Sequence, residues 1–192
     1  MKYLIAGLGN IGTEYEMTRH NIGFEIIDAL AAGSEDVKFE SGRKASVARM
    51  RHKGRTLVLI KPTTYMNLSG EAVQYWLQQE KIAKENLLVL ADELALPFGT
   101  IQIRPKGGSA GHNGLSSIME CLNTEEFARV RFGIGSDFAK GYQVNYVLGK
   151  WESDQKEKLP ALIKTSCDII KSFASIGLQQ TMNHFNKKST GV

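Results

Sequence analysis

The chain has 192 residues, of which 42% are hydrophobic and 23% charged, and a formal charge of +4. That length supports one domain with a substantial core, and the composition is that of a globular protein rather than a fibrous or disordered one. No apolar stretch is long enough to span a bilayer, and the mild basic excess permits a polyanionic partner without requiring one.

In chain order, residues 3–8 ("YLIAGL") form an apolar run that predicts a buried first strand and lacks the length and cleavage site of a signal peptide. Ile22, Phe24, Ile26, Ile27 and Leu30 are spaced for a helix that stops near Gly33. Alternation over 44–50 and the run at 56–60 predict two strands joined by a turn at Lys53-Gly54. A helix follows "NLS", with Ser69 as its N-cap. "NLLVLAD" predicts a buried strand ending in Asp92, and "TIQIR" alternates as a strand should. A glycine-rich loop, 105–114, feeds the helix "LSSIMECL", and "ARVRFGIG" is again a strand. After a loop around 136–142, "QVNYVLG" predicts an edge strand. From Ser153 the pattern is helical to about Ile176, with Pro160 placed in the first turn or kinking the helix. "LQQTMNHFN" predicts a short last helix, and "KKSTGV" a frayed end. Strands alternate with helices without a repeat or linker. The expected fold is α/β: a single domain over 1–192, with a twisted mixed sheet and helices on both faces.

Cys121 and Cys167 sit in apolar helical patterns without metal-type spacing, and read as reduced core thiols of a cytoplasmic protein. Arg43, Lys44, Arg49, Arg51, Lys53 and Arg55 crowd one stretch, and Arg104, Lys106, Arg129 and Arg131 accompany two later strands. A solvated face explains any one cluster, whereas several on one domain keep nucleic acid open as a partner.

Gly7-Leu8-Gly9-Asn10-Ile11-Gly12 matches G-x-G-x-x-G after a strand. A dinucleotide loop needs its third glycine to open the helix, so that helix N–H groups meet the pyrophosphate. Here the helical pattern starts only after His20, and Asp28 lies within that helix, so no residue serves as the ribose-binding carboxylate. The glycines instead allow a sharp turn that presents Asn10 at the end of the strand. Asn67, Asp92 and Asn113 follow other strand or loop ends, so these four side chains and His20 are expected on one rim, where open α/β sheets bind ligands.

"GLGNIGTEYEMTRHNIGF", "KPTTYMNLSGEAV", "LADELALPFGTIQIRPKGGSAGHNGL", "ARVRFGIG" and "VNYVLGKW", in that order, resemble bacterial peptidyl-tRNA hydrolase over essentially the whole chain. The resemblance implies a monomeric cytoplasmic α/β hydrolase that cleaves the ester between a peptide and tRNA. It implies no metal, no cofactor, no membrane and no obligate protein partner. It makes His20 the base and Asp92 its support, places Asn10 beside the catalytic centre, and puts Asn67 and Asn113 on the substrate. Tyr15 and Tyr65 then line the cleft for the tRNA end and the peptide, Met66 packs against the imidazole, and Arg104 and Arg131 meet the terminal phosphate. His112, inside "GHNG", competes as a base but looks structural in the family; His52 and His184 lack a motif.

The chemistry suits these residues. An ester leaves more readily than an amide, so one positioned base and a water suffice, and histidine titrates near neutrality. Asparagines grip a peptide backbone without bringing charge. Arg104 stands where the family commonly has lysine, which keeps the charge; Ala95 replaces a common acidic residue; and "SDFAKGYQ" departs from the usual loop, leaving tRNA contacts there unassigned. The alternative from another class is a non-catalytic RNA-binding cofactor on the same fold. A serine hydrolase lacks its G-x-S-x-G elbow, and four scattered histidines do not suggest a metal site.

Overall fold

The computed structural model describes residues 1–186; the C-terminal "KKSTGV" lies outside the described residues. Seven strands form one mixed sheet in the order β2-β3-β4-β1-β5-β7-β6. They are β1 (Lys2–Gly7), β2 (Glu40–Gly42), β3 (Ala45–His52), β4 (Arg55–Pro62), β5 (Leu87–Glu93), β6 (Ile101–Arg104) and β7 (Ala128–Gly133). The central four, β4, β1, β5 and β7, run parallel, so their C-terminal ends share one edge. β3 and β6 flank them antiparallel. Lys53 and Gly54 both adopt positive φ in the β3–β4 turn, as a two-residue hairpin of primed type requires.

Alternation along the strands sorts the side chains to two faces. Ile5, Leu88, Leu90, Val130 and Phe132 pack under α1 (Ile22–Ala32) and the later helix Ser153–Ile176. Leu4, Ala6, Val58, Ile60 and Val89 pack under α2 (Ser69–Glu80) and α3 (Asn113–Leu122). The helices therefore cover both faces, as expected. Cys167 belongs to the first core and burial pushes its thiol up to about 11, whereas Cys121 is only half-buried at the end of α3. Gly7 explains how α1 docks: a Cβ there would lie 2.2 Å from the carbonyl oxygen of Gly23, so the helix backbone rests directly on the end of β1.

Two local expectations are corrected. "QVNYVLG" is a short helix, α4 (Gln143–Val147), not an edge strand. Its β-branched and aromatic residues mimic a strand, but Val144 and Val147 face a cleft while Tyr146 anchors inward, a helical division of faces set by tertiary contacts. Ser69 is not the N-cap of α2. A 3-10 turn, Met66–Leu68, runs straight into the helix, and the Ser69 hydroxyl donates to the Met66 carbonyl. Of the two placements open for Pro160, the structure takes the interior one: it lies inside α5 (Ser153–Ile176), and the helix continues past it. The last helix, α6 (Leu178–Phe185), ends at Asn186, whose side chain pairs with both the N–H and the C=O of Ile103 and so covers backbone groups of the edge strand β6.

Candidate active site

His20 sits in a 3-10 turn, Arg19–Asn21, immediately before α1. Thr18, fully buried, donates its hydroxyl to the Tyr15 carbonyl and bridges to Lys150, while the Arg19 N–H donates to the Gly149 carbonyl. The turn is thus pinned from both sides. β5 delivers Asp92 at its C-terminal end, with a side chain only 2% exposed. His20 Nδ1 lies 3.0 and 2.9 Å from the two Asp92 oxygens, and His112 Nε2 lies 2.9 Å from Oδ1.

The tautomers follow from backbone geometry. His112 Nδ1 accepts the N–H groups of Gly114 and Leu115, capping α3, so Nε2 carries the proton and donates it to Asp92. Asp92, acceptor on both sides, takes a second N–H from His20 Nδ1 and leaves Nε2 as the basic nitrogen. Burial alone would raise the Asp92 pKa, but the two imidazoles outweigh it and hold the carboxyl well below its usual range. Burial likewise would lower the His20 pKa, but the Asp92 charge and hydrogen bond outweigh it and raise it above 6.5.

His20, Asp92 and His112 could also be drawn as metal ligands, since one donor atom of each lies within 4.8 Å of the others. The hydrogen bonds favour a carboxylate that accepts from two imidazoles instead. A ligating nitrogen must present a lone pair, yet His112 Nε2 carries the proton because Nδ1 already accepts two N–H groups.

His20, Asp92, His112, Asn113, Val144 and Val147 line a cleft of about 90 Å³. Asn10 lines a neighbouring groove of about 480 Å³. The side chain of Asn21 ties Asn10 to the His20 turn: its Oδ1 accepts the Asn10 N–H and its Nδ2 donates to the Asn10 carbonyl, both at 2.8 Å. Tyr15 is half-buried in the turn Thr13–Tyr15, while Asn67 and Tyr65 stand exposed after β4. Met66 is buried and sets its sulfur against Gly114 at the start of α3, beside His112.

Arg104 and Arg131 converge: both donate to Gln102 Oε1 from adjacent strands, and Arg131 also pairs with Glu93 at 3.1 Å. Glu93 lines the His20 cleft, so Arg131 stands one side chain from it and Arg104 lies farther out, beyond Gln102. Arg129 is different. It is buried, and its guanidinium donates to the carbonyls of Gly107, Gly108, Glu125 and Phe127, holding the glycine-rich loop. The dense basic stretch at 43–55 lies far along the sheet order and is partly neutralised, with Lys44 on Glu71 and Arg49 on Glu80.

The groove beside Asn10 is lined by a half-buried acid. Burial pushes Glu25 up to about 7, against the hydrogen bond from Trp151 Nε1 and with Asp28 adding to the rise. Below pH 4.5 the carboxyl is neutral folded or unfolded; above 7 it is charged in both, and the folded state bears the cost of burying the charge. Glu25→Gln therefore melts about 5 °C above the parent at pH 8, with the gap closing by pH 4.5, as calorimetry across pH will show. An equal gap at both pH values contradicts the assignment.

A family model described as Peptidyl-tRNA hydrolase matches residues 4–191. The chain belongs to the peptidyl-tRNA hydrolase family. It is 55% identical to the "Peptidyl-tRNA hydrolase" of Porphyromonas gingivalis over 97% of this chain and all of the relative. It is 55% identical to that of Cytophaga hutchinsonii over 98% of this chain and all of that relative. The crystal structure of peptidyl-tRNA hydrolase from Acinetobacter baumannii superposes with a TM-score of 0.90 at 34% identity, covering 96% of this chain and 94% of the other. The resemblance carried by the motifs is thereby established, and so is the α/β fold it implied.

The sequence alone did not single out Asn21, Gln102 or Glu93, and left His112 as a weak competitor. Asn21 adjoins His20 in "TRHN", a signal that was available; the roles of Gln102 and Glu93 emerge only from strand register.

Proposed function

We propose that the protein hydrolyses the ester between a peptide, or an N-blocked aminoacyl group, and the terminal ribose of tRNA. The observation that carries this reading is the buried Asp92 carboxylate holding His20 by Nδ1, which leaves Nε2 as a base. His20 Nε2 takes a proton from a water whose oxygen attacks the ester carbonyl. The tetrahedral intermediate collapses, the ribose oxygen leaves with the electron pair of the broken C–O bond, and the imidazolium returns the proton to it. Asp92 stabilises the imidazolium between these steps. Asn10, Asn67 and Asn113 bind the acyl group and peptide backbone, and Tyr15 and Tyr65 flank the acceptor end. The protein acts as a cytoplasmic monomer, and its partner is peptidyl-tRNA. Cleavage of N-acetyl-aminoacyl-tRNA by the purified protein tests the reading against an RNA-binding role without catalysis.

The convergence of Arg104 and Arg131 on Gln102 supports a phosphate site remote from the ester. Arg104→Ala and Arg131→Ala each raise KM for full tRNA substrates about tenfold with a smaller change in kcat, and the penalty shrinks as salt rises. Steady-state kinetics at two ionic strengths check this; a fall in kcat at unchanged KM assigns the arginines to the scaffold instead.

Asn10 supports discrimination between blocked and unblocked substrates, because its backbone is clamped beside the His20 turn. Asn10→Asp keeps the shape and adds a negative charge, which opposes the developing oxyanion and attracts a free α-ammonium. The ratio of kcat/KM for blocked over unblocked aminoacyl-tRNA falls about tenfold or more in this variant. An unchanged ratio makes Asn10 a turn residue only.

A further inference from the structure

Arg19 is a charge that the hydrolytic steps do not use, and it is buried to 4% exposure next to the base. Its guanidinium lies 4.2 Å from the centre of the Tyr146 ring and 5.7 Å from that of Trp151. Nη1 donates to the Tyr146 carbonyl at 3.2 Å and Nη2 to Gln155 at 3.3 Å. The nearest carboxylate, Glu152, is 3.8 Å away on a side chain 75% exposed, so the pairing is mostly with aromatic faces and neutral acceptors. Nε is buried without a hydrogen-bond partner among the described residues. Such an arrangement is poor value as stability, since a buried cation is costly unless fully paired.

What the side chain does join is two parts of the cleft. It leaves the turn that carries His20 and ends under α4, whose Val144 and Val147 form the cleft's outer wall. Tyr146, on the inner side of α4, receives the guanidinium on its ring and its carbonyl, and its hydroxyl donates to the Ile134 carbonyl at 2.6 Å. The chain folds so closely over Arg19 that a Cβ on Gly149 would lie 2.8 Å from Nη1. α4 is only five residues long, too short to hold its own place without such an anchor.

We infer that Arg19 is a positioning residue that sets the α4 wall in register with His20, so that base and substrate wall are placed by adjacent residues of one turn. The inference rests on the hydrolase reading above. The His20 turn keeps its own supports, the bonds of Thr18 to Tyr15 and of the Arg19 N–H to Gly149, and the Asp92 pair is separate. Removing the guanidinium therefore loosens the wall more than the base, and the defect falls on binding of the acyl group.

The test compares Arg19→Met, Arg19→Lys and Val147→Ala on N-acetyl-aminoacyl-tRNA, at a temperature where each variant is folded. Arg19→Met raises KM at least about tenfold, lowers kcat less than about threefold, and leaves the acid limb of the kcat–pH profile in place. Arg19→Lys, which keeps a cation for the Tyr146 ring and carbonyl, recovers part of the KM. Val147→Ala in the Arg19→Met background costs clearly less than in the parent, because the wall is already displaced. A lower melting temperature with unchanged KM, or full additivity of the two substitutions, overturns the proposal. Should Arg19→Met not fold, KM of Arg19→Lys decides: a rise of at least about threefold supports it and parental KM overturns it. Loss of the hydrolase reading is seen separately, as failure of the parent protein to cleave the blocked substrate.

Discussion

His20→Ala lowers turnover of peptidyl-tRNA by at least about 10²-fold while tRNA affinity stays near the parent value. The imidazole is the group that Asp92 orients with a nitrogen left free, and it lies in the cleft lined by Asn113, Val144 and Val147. Its loss removes proton transfer from the attacking water but takes no charge from the region of Arg104 and Arg131. Asp92 keeps its bond from His112 in the variant, so the buried carboxylate is not orphaned and the fold survives. Single-turnover cleavage together with a filter-binding isotherm separates the two effects. Near-parental turnover in a folded His20→Ala protein contradicts the assignment of the base, and a matching loss of affinity makes His20 a binding residue.

Asp92→Asn has nearly as large an effect, a loss of about 10²- to 10³-fold, and for a reason that lies in His112. An amide offers one acceptor oxygen and one donor nitrogen where the carboxylate accepts from both imidazoles. His112 is locked as an Nε2–H donor by the two backbone N–H groups on its Nδ1, so it claims the amide oxygen. The amide nitrogen then faces His20, which must turn its Nδ1 lone pair inward and carry its proton on Nε2. The base is occupied, as in other triads whose carboxylate becomes an amide. The pH dependence moves as well. In the parent, kcat/KM rises as His20 loses its proton, with a pKa that Asp92 holds above the ordinary histidine value against the opposing effect of burial. Without the negative charge that pKa falls, and the acid limb of the residual activity shifts to lower pH. A limb that stays in place, or moves up, contradicts the coupling. Stability responds too: a carboxyl held low in the folded state contributes stability above its unfolded pKa, and that contribution disappears as pH falls toward the folded value. The Asn variant lacks this acid-sensitive component.

Much of this arrangement was legible in the sequence, and what was not has physical causes. The strands at β1, β4 and β5 are buried on both faces and read as unbroken apolar runs, so they were found within a residue or two. The helix after the β1 glycines starts at Ile22, where the periodicity of the sequence places it, and not at Gly12. α4 was missed because its five residues are too few for a period to appear and its composition favours a strand. Ser69 was misplaced because a 3-10 turn before the helix leaves no trace in composition. Within the site, His20 and Asp92 were named, and the structure joins them directly. The weight of Asp92→Asn was not foreseeable, since it depends on His112 sharing the carboxylate across 20 residues of chain. The basic stretch at 43–55 leaves a solvated face and a nucleic-acid contact both open in the sequence, because charge density along a chain says nothing of the Glu71 and Glu80 partners opposite. Arg129 and Arg131 stand two residues apart, and charge alone does not separate them; Arg129 is buried on loop carbonyls and Arg131 pairs at the cleft's edge.

The measurement that tests the central claim most directly is the initial rate of N-acetyl-aminoacyl-tRNA hydrolysis by the purified protein in a chelator, with unblocked aminoacyl-tRNA in parallel. The account predicts that the blocked ester is cleaved at the same rate with and without chelator and that the unblocked one is spared. Binding of either tRNA without cleavage, or a rate that collapses when metal is removed, would contradict a His20 base held by Asp92.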